Sequence, residues 1–392
     1  MVKDYEIQGI HTIANKEETS IVRNLTLKVG SNKSLTKMSR CLDRSTDKKT
    51  LDISGPILNE CYIPLTLDKI RELDRDKEAL DYYILSRAKY LDSGNINVLS
   101  IRLVLKPQEK IEKKDYEFIN SLLTWSRNDI YLVPTLEFDG VIESSEKCNI
   151  YDTFVKQLLE DKKTWTNANS GIMIPSYYPR ALVDNLFEMY KDEGSRFVAV
   201  DFDNKRMDKP SQTIGTIVRH FNSKDEGAFM YAVNLKPYKK GHTDESAWDI
   251  YAMHGTFNAI GPTHPKPRKV VLPNDWRSAG RVFDANNVSY PVLDENHRDC
   301  FFDWTEKNYH FRFEDDYSKN TSGVYNYLKR YNFNQINLLL SEFSKAIDKG
   351  ETEFIDEMVA HIPPDMANTK ITAVENTSRR KRKRINDNLD VI

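Results

Sequence analysis

Short apolar runs and amphipathic segments alternate through the middle of this chain. The runs with strand character are residues 51–54, 80–85, 98–105, 130–136, 171–174, 197–200, 229–233 and 257–260. Residues 80–85 fit a helix equally well. Between the runs lie segments whose apolar positions recur at helical spacing, such as Leu182, Leu186, Met189 and Tyr190, or Ile214, Ile217, Val218 and Phe221. This alternation predicts βαβ units and a mainly parallel sheet. Eight such strands over about 210 residues predict an α/β protein built on a (β/α)8 TIM-type barrel.

The pattern differs on either side of that core. Residues 1–45 alternate modestly, through Ile7, Ile10 and Thr12 and then Ile21, Arg23, Leu25, Leu27 and Val29, which predicts an N-terminal β-rich segment. The barrel is expected over 46–280. Residues 281–365 are expected to form a post-barrel subdomain, with short strands near 281–283 and 287–290 followed by two helices. One helix carries Ile336, Leu339, Leu340, Phe343 and Ile347 and stops at Gly350; the other carries Phe354, Ile355, Met358 and Val359 and stops at Pro363-Pro364. Residues 366–392 are expected to be a disordered basic tail.

Composition narrows the class. With 17 Phe, 20 Tyr and 5 Trp among 392 residues, the chain can fill a large core. It has no uninterrupted apolar run of about 18 residues and no apolar leader, so a cytoplasmic protein without a membrane partner is expected. Cys41, Cys61, Cys148 and Cys300 are scattered without C-x-x-C spacing, which argues against a disulfide framework and a four-cysteine zinc site. The net charge of −2 conceals an asymmetry, because Arg379, Arg380, Lys381, Arg382, Lys383 and Arg384 cluster near the C-terminus and the remainder is about −8. Such a cluster is either a solvated tail or a handle for nucleic-acid phosphates.

Barrel chemistry sits at the C-terminal ends of the strands. The side chains there are Glu137 and Asp139; Ser176 and Tyr178; Asp201, Asp203 and Asn204; Asn234 and Lys236; Asn258 and His264. Glu137, Asp201 and Asp203 are the candidates for acid, base or nucleophile, whereas Ser176, Tyr178, Asn234, Lys236 and His264 are candidates for substrate binding. Equally, such carboxylates cap helices. Arg102, if it faces inward, requires a partner, and Glu137 on the next strand is a plausible one. His254, His264 and His297 lack metal-site spacing, and no phosphate-binding glycine loop is present.

The segment Phe257-Asn258-Ala259-Ile260-Gly261-Pro262-Thr263-His264 resembles the last barrel strand of the tRNA-guanine transglycosylases, in which an aspartate nucleophile is followed by an apolar pair and Pro-Thr-Arg. Val282-Phe283-Asp284-Ala285 through Pro291-Val292-Leu293-Asp294 is similar to the family's strand leading into its zinc site. Tyr331-Asn332-Phe333-Asn334, with Glu342, Ala346, Ile347 and Gly350, is similar to its closing helix. The resemblance implies a nucleic-acid partner, tRNA or DNA, and exchange of guanine for a 7-deazaguanine. It places the nucleophile position on Asn258, an amide that cannot form the covalent glycosyl-enzyme. It places the acid/base aspartate near 103–107, where the chain has Leu-Val-Leu-Lys-Pro, and the zinc ligands on His297, Asp299, Cys300 and Tyr331, so no cofactor is expected. Three readings stay open: a non-catalytic subunit with a protein partner or a second copy, a divergent enzyme with relocated carboxylates, and a barrel hydrolase using paired carboxylates.

Overall fold

A computed structural model of the chain describes residues 5–14, 21–42, 55–88, 91–125, 128–140, 142–160, 169–175, 177–190, 194–206, 211–222, 227–237, 246–253, 257–264, 280–294, 296–313 and 321–361. Strands β1 (Tyr5–Ala14), β2 (Ile21–Val29) and β3 (Lys33–Leu35) form an antiparallel sheet in which alternate residues Leu25, Leu27 and Val29 are buried. Strand β4 (Ser39–Arg40) already belongs to the central sheet, so the β-rich segment is shorter than 1–45.

The central α/β unit continues with β5 (Leu58–Thr66), α1 (Leu67–Arg75), α2 (Lys77–Ala88), β6 (Ile96–Leu105), α3 (Lys113–Trp125), β7 (Ile130–Leu132), β8 (Thr135–Phe138) and α4 (Ser144–Glu160). After these come β9 (Ser170–Pro175), α5 (Arg180–Tyr190), β10 (Phe197–Asp201), α6 (Ser211–Asn222), β11 (Phe229–Val233), α7 (Trp248–Tyr251) and β12 (Ala259–Ile260). The nine strands run in the order β4-β12-β11-β10-β9-β7-β6-β5, with β8 beside β6. Their pairings are parallel. The two ends of this order also touch, since Leu42 N donates to Leu58 O at 2.8 Å and Glu60 N donates to Leu42 O at 2.9 Å.

The structure corrects one strand expectation. Residues 80–85 lie in helix α2, where Asp76 accepts from Ala79 N at 3.0 Å and Ala79, Leu80, Tyr83 and Ile84 pack inward at helical spacing. Residues 51–54 lie outside the described residues. Strand β5 was missed because Asn59, Glu60 and Pro64 interrupt its apolar run, and a proline normally argues against a strand. Here Leu58 O and Glu60 N pair with Leu42 while Ile57 O accepts from Ile96 N, so the even-numbered residues of β5 turn their backbone groups away from β6. Pro64 thus stands where the ladder with β6 needs no donor.

Past the sheet lie α8 (Arg298–Tyr309), α9 (Thr321–Lys349) and α10 (Thr352–Ala360). A hairpin with antiparallel bridges Arg281↔Val292 and Asp284↔Ser289 precedes them, as expected. Ile336, Leu339, Leu340, Phe343 and Ile347 of α9 join the core of the central sheet, so this helix is not part of a separate body. Gly350, at φ 73°, ends it as expected, with Glu351 N donating to Ala346 O at 2.9 Å. Among the described residues, no helix is long and apolar enough to cross a membrane.

Candidate functional site

Strand alternation decides which side chains meet. Tyr231 of β11 donates its hydroxyl to the Glu60 carboxylate of β5, so both face the inside of the curled sheet. In the parallel register Ala199 and Ala259 flank Tyr231. Phe197, Ala199 and Asp201 of β10, Phe229 and Val233 of β11, and Ala259 and Gly261 share that face by the period of two. On β5 and β6 the same face carries Glu60, Tyr62, Ser100 and Arg102.

Two charged groups result at the C-terminal strand ends. In the first, Arg102 meets Glu137 of β8 at 3.1 Å, Asp201 at 2.8 Å and Asp203 at 3.4 Å. The inward Arg102–Glu137 pair read from the sequence is present, and Asp201 is a second, closer partner. Burial alone would pull the guanidinium down, yet Asp201, Tyr62 and Glu137 hold it above its ordinary value. Both oxygens of Asp201 are engaged, because Oδ1 accepts from Asp203 N at 2.9 Å and Oδ2 from Arg102 at 2.8 Å. Asp203 is the open member, with a side chain 42% exposed and Lys205 Nζ at 3.6 Å.

The second group was not read from the sequence. The Glu60 side chain is fully buried; one oxygen accepts from Tyr231 and the other lies 2.8 Å from His264 Nε2. Burial pushes the Tyr231 hydroxyl far above its usual range, so it stays a donor. The His264 ring lies flat on Tyr62, with centroids 3.6 Å apart and planes within 5°. Tyr62 is pushed up to about 12 by burial and sits in the field of Arg102, Asp201, Glu137 and Glu60, so it joins the two groups. A Cβ at Gly261 would stand 2.7 Å from the Tyr231 hydroxyl and 3.0 Å from Glu60 Oε2, which explains glycine there. The available signal was a lone glutamate in front of an apolar run, Glu60 before Cys61-Tyr62-Ile63.

The ends of β10 and β11 turn through left-handed residues, Asp203 at φ 50°, Asn204 at 56° and Asn234 at 57°. Short polar side chains tolerate that region best. Asn234 Oδ1 accepts from His264 N at 2.8 Å and so holds the His264 segment against β11. Lys236 is half-buried and donates its backbone N–H to Lys205 O at 3.1 Å.

Two of the expected site residues stand apart from the charged groups. Asn258 lies at the N-terminal start of β12, one residue out of phase with Ala259 and Gly261, so it faces away from the charged groups. Its Oδ1 accepts from Met230 N at 2.9 Å and its Nδ2 donates to Arg23 O at 3.4 Å. Tyr178 is buried and donates to Asp152 of α4, turned away from the strand ends. Ser176 and the basic run Arg379, Arg380, Lys381, Arg382, Lys383 and Arg384 lie outside the described residues, as does His254.

The positions that the resemblance assigns to zinc do not fit a metal. Tyr331 is buried against Phe301 and Trp304, with ring centroids 5.7 and 5.6 Å away. His297 Nδ1 is 2.8 Å from Asp294 Oδ1, Cys300 is exposed, and Asp299 faces Arg312 at 3.6 Å. Among the described residues no group of three or more His, Cys, Asp or Glu is placed to hold a metal. Val282, Leu293, Phe301, Phe302, Trp304, Val324, Leu328 and Tyr331 instead form a core of their own that ties the hairpin to α8 and α9. In comparison with known proteins, no family model and no curated protein matches this chain.

Proposed function

We propose that the chain is a (β/α)8 barrel of the transglycosylase type, working in the cytoplasm as a nucleic-acid-binding subunit in the exchange of guanine for a 7-deazaguanine in tRNA or DNA. The parallel strand order and the hydrogen bonds between its two ends support the barrel. The matching order of motifs over 257–350 supports the type. The observation that carries the non-catalytic reading is Asn258: the position of the family's nucleophile is an amide, buried, and bonded to two backbone groups outside the barrel interior. The inward carboxylate Asp201 has both oxygens committed to holding Arg102 and the Asp203 turn.

A base-exchange assay with labelled guanine and 7-deazaguanine on tRNA and DNA tests this reading, run alone and with a candidate partner subunit. Turnover by the isolated chain that is abolished in Asp201→Asn or Asp203→Asn would replace it with the divergent-enzyme reading.

One geometric fact favours a second reading. Glu137 and Asp201 approach the two terminal nitrogens of one guanidinium, so two carboxylates stand close together in the barrel mouth, as paired hydrolase mechanisms need. Aryl-glycoside hydrolysis lost in Glu137→Gln would support it.

A further inference from the structure

We propose that Glu60 and His264 form a carboxylate–imidazole dyad whose second ring nitrogen, Nδ1, is a proton-accepting atom. It would serve a small ligand that presents an N–H or O–H group. The proposal goes beyond the nucleic-acid reading and stands whether or not that reading holds.

The geometry fixes the roles. Tyr231 donates to Glu60 Oε2, which leaves Oε1 to accept from His264 Nε2 at 2.8 Å. An imidazole that donates through Nε2 keeps its lone pair on Nδ1. No described residue bonds Nδ1, and the His264 side chain retains 14% exposure at the mouth. Three contacts lock the ring: the stack on Tyr62, the Glu60 bond, and the Asn234 bond to the His264 backbone. A ligand N–H or O–H at Nδ1 first donates a hydrogen bond. Full transfer moves its proton to Nδ1 and leaves an imidazolium beside Glu60 and an anion on the ligand. Tyr62, on which the ring lies, is in the field of Arg102, Asp201 and Glu137, and the other titratable groups nearby are Tyr231 and Cys41.

Glu60 is a positioning residue here. The alternative is a purely structural ion pair, and the ring's tautomer and reactivity separate the two. Nitrogen NMR of the full-length protein labelled in histidine, with His264 assigned by His264→Gln, reads the tautomer directly. Expected is an Nε2–H form in the wild type that loses its preference in Glu60→Gln and keeps it in Tyr231→Phe. An Nδ1–H form in the wild type, or no change in Glu60→Gln, overturns the proposal. Should Glu60→Gln fail to fold, diethyl pyrocarbonate on the native wild type decides. Carbethoxylation of His264, mapped by mass spectrometry, supports an accessible base, and an unmodified His264 overturns it.

Discussion

Replacing Arg102 by Met keeps the side-chain bulk and removes the charge that holds the mouth together. The Arg102 and Asp201 side chains are each 6% exposed and Glu137 is 12% exposed, so the substitution removes the cation between two nearly buried carboxylates. Breaking a buried ion pair by removing one partner costs about 3–5 kcal/mol. Asp203 adds little, because its carboxylate is 42% exposed and screened by solvent. Urea unfolding near pH 8 should therefore show a loss of about 3–5 kcal/mol with an unchanged slope. Arg102 is held above its ordinary value by Asp201, Tyr62 and Glu137, so its contribution is fully present across the neutral range in the wild type. Removing both members of the closer pair, in Arg102→Met/Asp201→Asn, should recover much of the loss. A single variant that loses less than about 1 kcal/mol, or a double variant no more stable than the single one, would refute the reasoning.

Further outcomes follow from other parts of the molecule. Gly261→Ala drives a Cβ toward Ala232 O at 3.0 Å, a backbone atom that cannot step aside, and should cost about 1–3 kcal/mol in thermal or urea unfolding. Asp249 of α7 is fully buried; burial raises its carboxyl despite Arg40 and Tyr290, so its term is favourable at low pH and fades as pH rises from 3.8 through the raised folded value. The stability difference between wild type and Asp249→Asn, measured across pH, should be largest at the acid end. Trp304→Ala opens the aromatic core around Tyr331 and should cost about 3–5 kcal/mol, whereas a chelator should leave the melting temperature unmoved. Deleting residues 379–384 should flatten the salt dependence of duplex binding by up to about 0.9 log units per lost phosphate contact, and an unchanged slope across a salt series would exclude the tail.

The sheet was legible where strands are short and apolar. Val198, Val200 and the run Phe229–Val233 sit in strands that hydrophobicity and run length predict. Strand β5 was illegible because its inward face carries Glu60 and its outer end Pro64, two residues that local rules exclude. Glu60 is tolerated through its contacts with Tyr231 and His264, and Pro64 because its backbone nitrogen lies off the ladder with β6. The site followed the same division. Arg102 and Glu137 could be paired from adjacent strands, since an inward arginine demands a carboxylate. Tyr231 and Glu60 could not, because 171 residues separate them and only the curl of the sheet brings them together. Asn258 was misplaced by one residue of phase, and in a strand one residue reverses the face.

The junction between β12, β4 and β5 has a kinetic meaning as well. Ser39 N reaches Asn258 O at 3.2 Å and Cys41 N reaches Ile260 O at 2.7 Å, a short ladder joining the two ends of the polypeptide's central unit. Contacts of such sequence separation form late, after the local βαβ pairs. Glu60 lies on one side of this seam and Gly261 and His264 on the other, so neither half of the nascent chain holds the imidazole against its carboxylate. The Glu60–His264 contact therefore exists only in a molecule whose two ends have closed on each other, so the state of that imidazole reports on the closure.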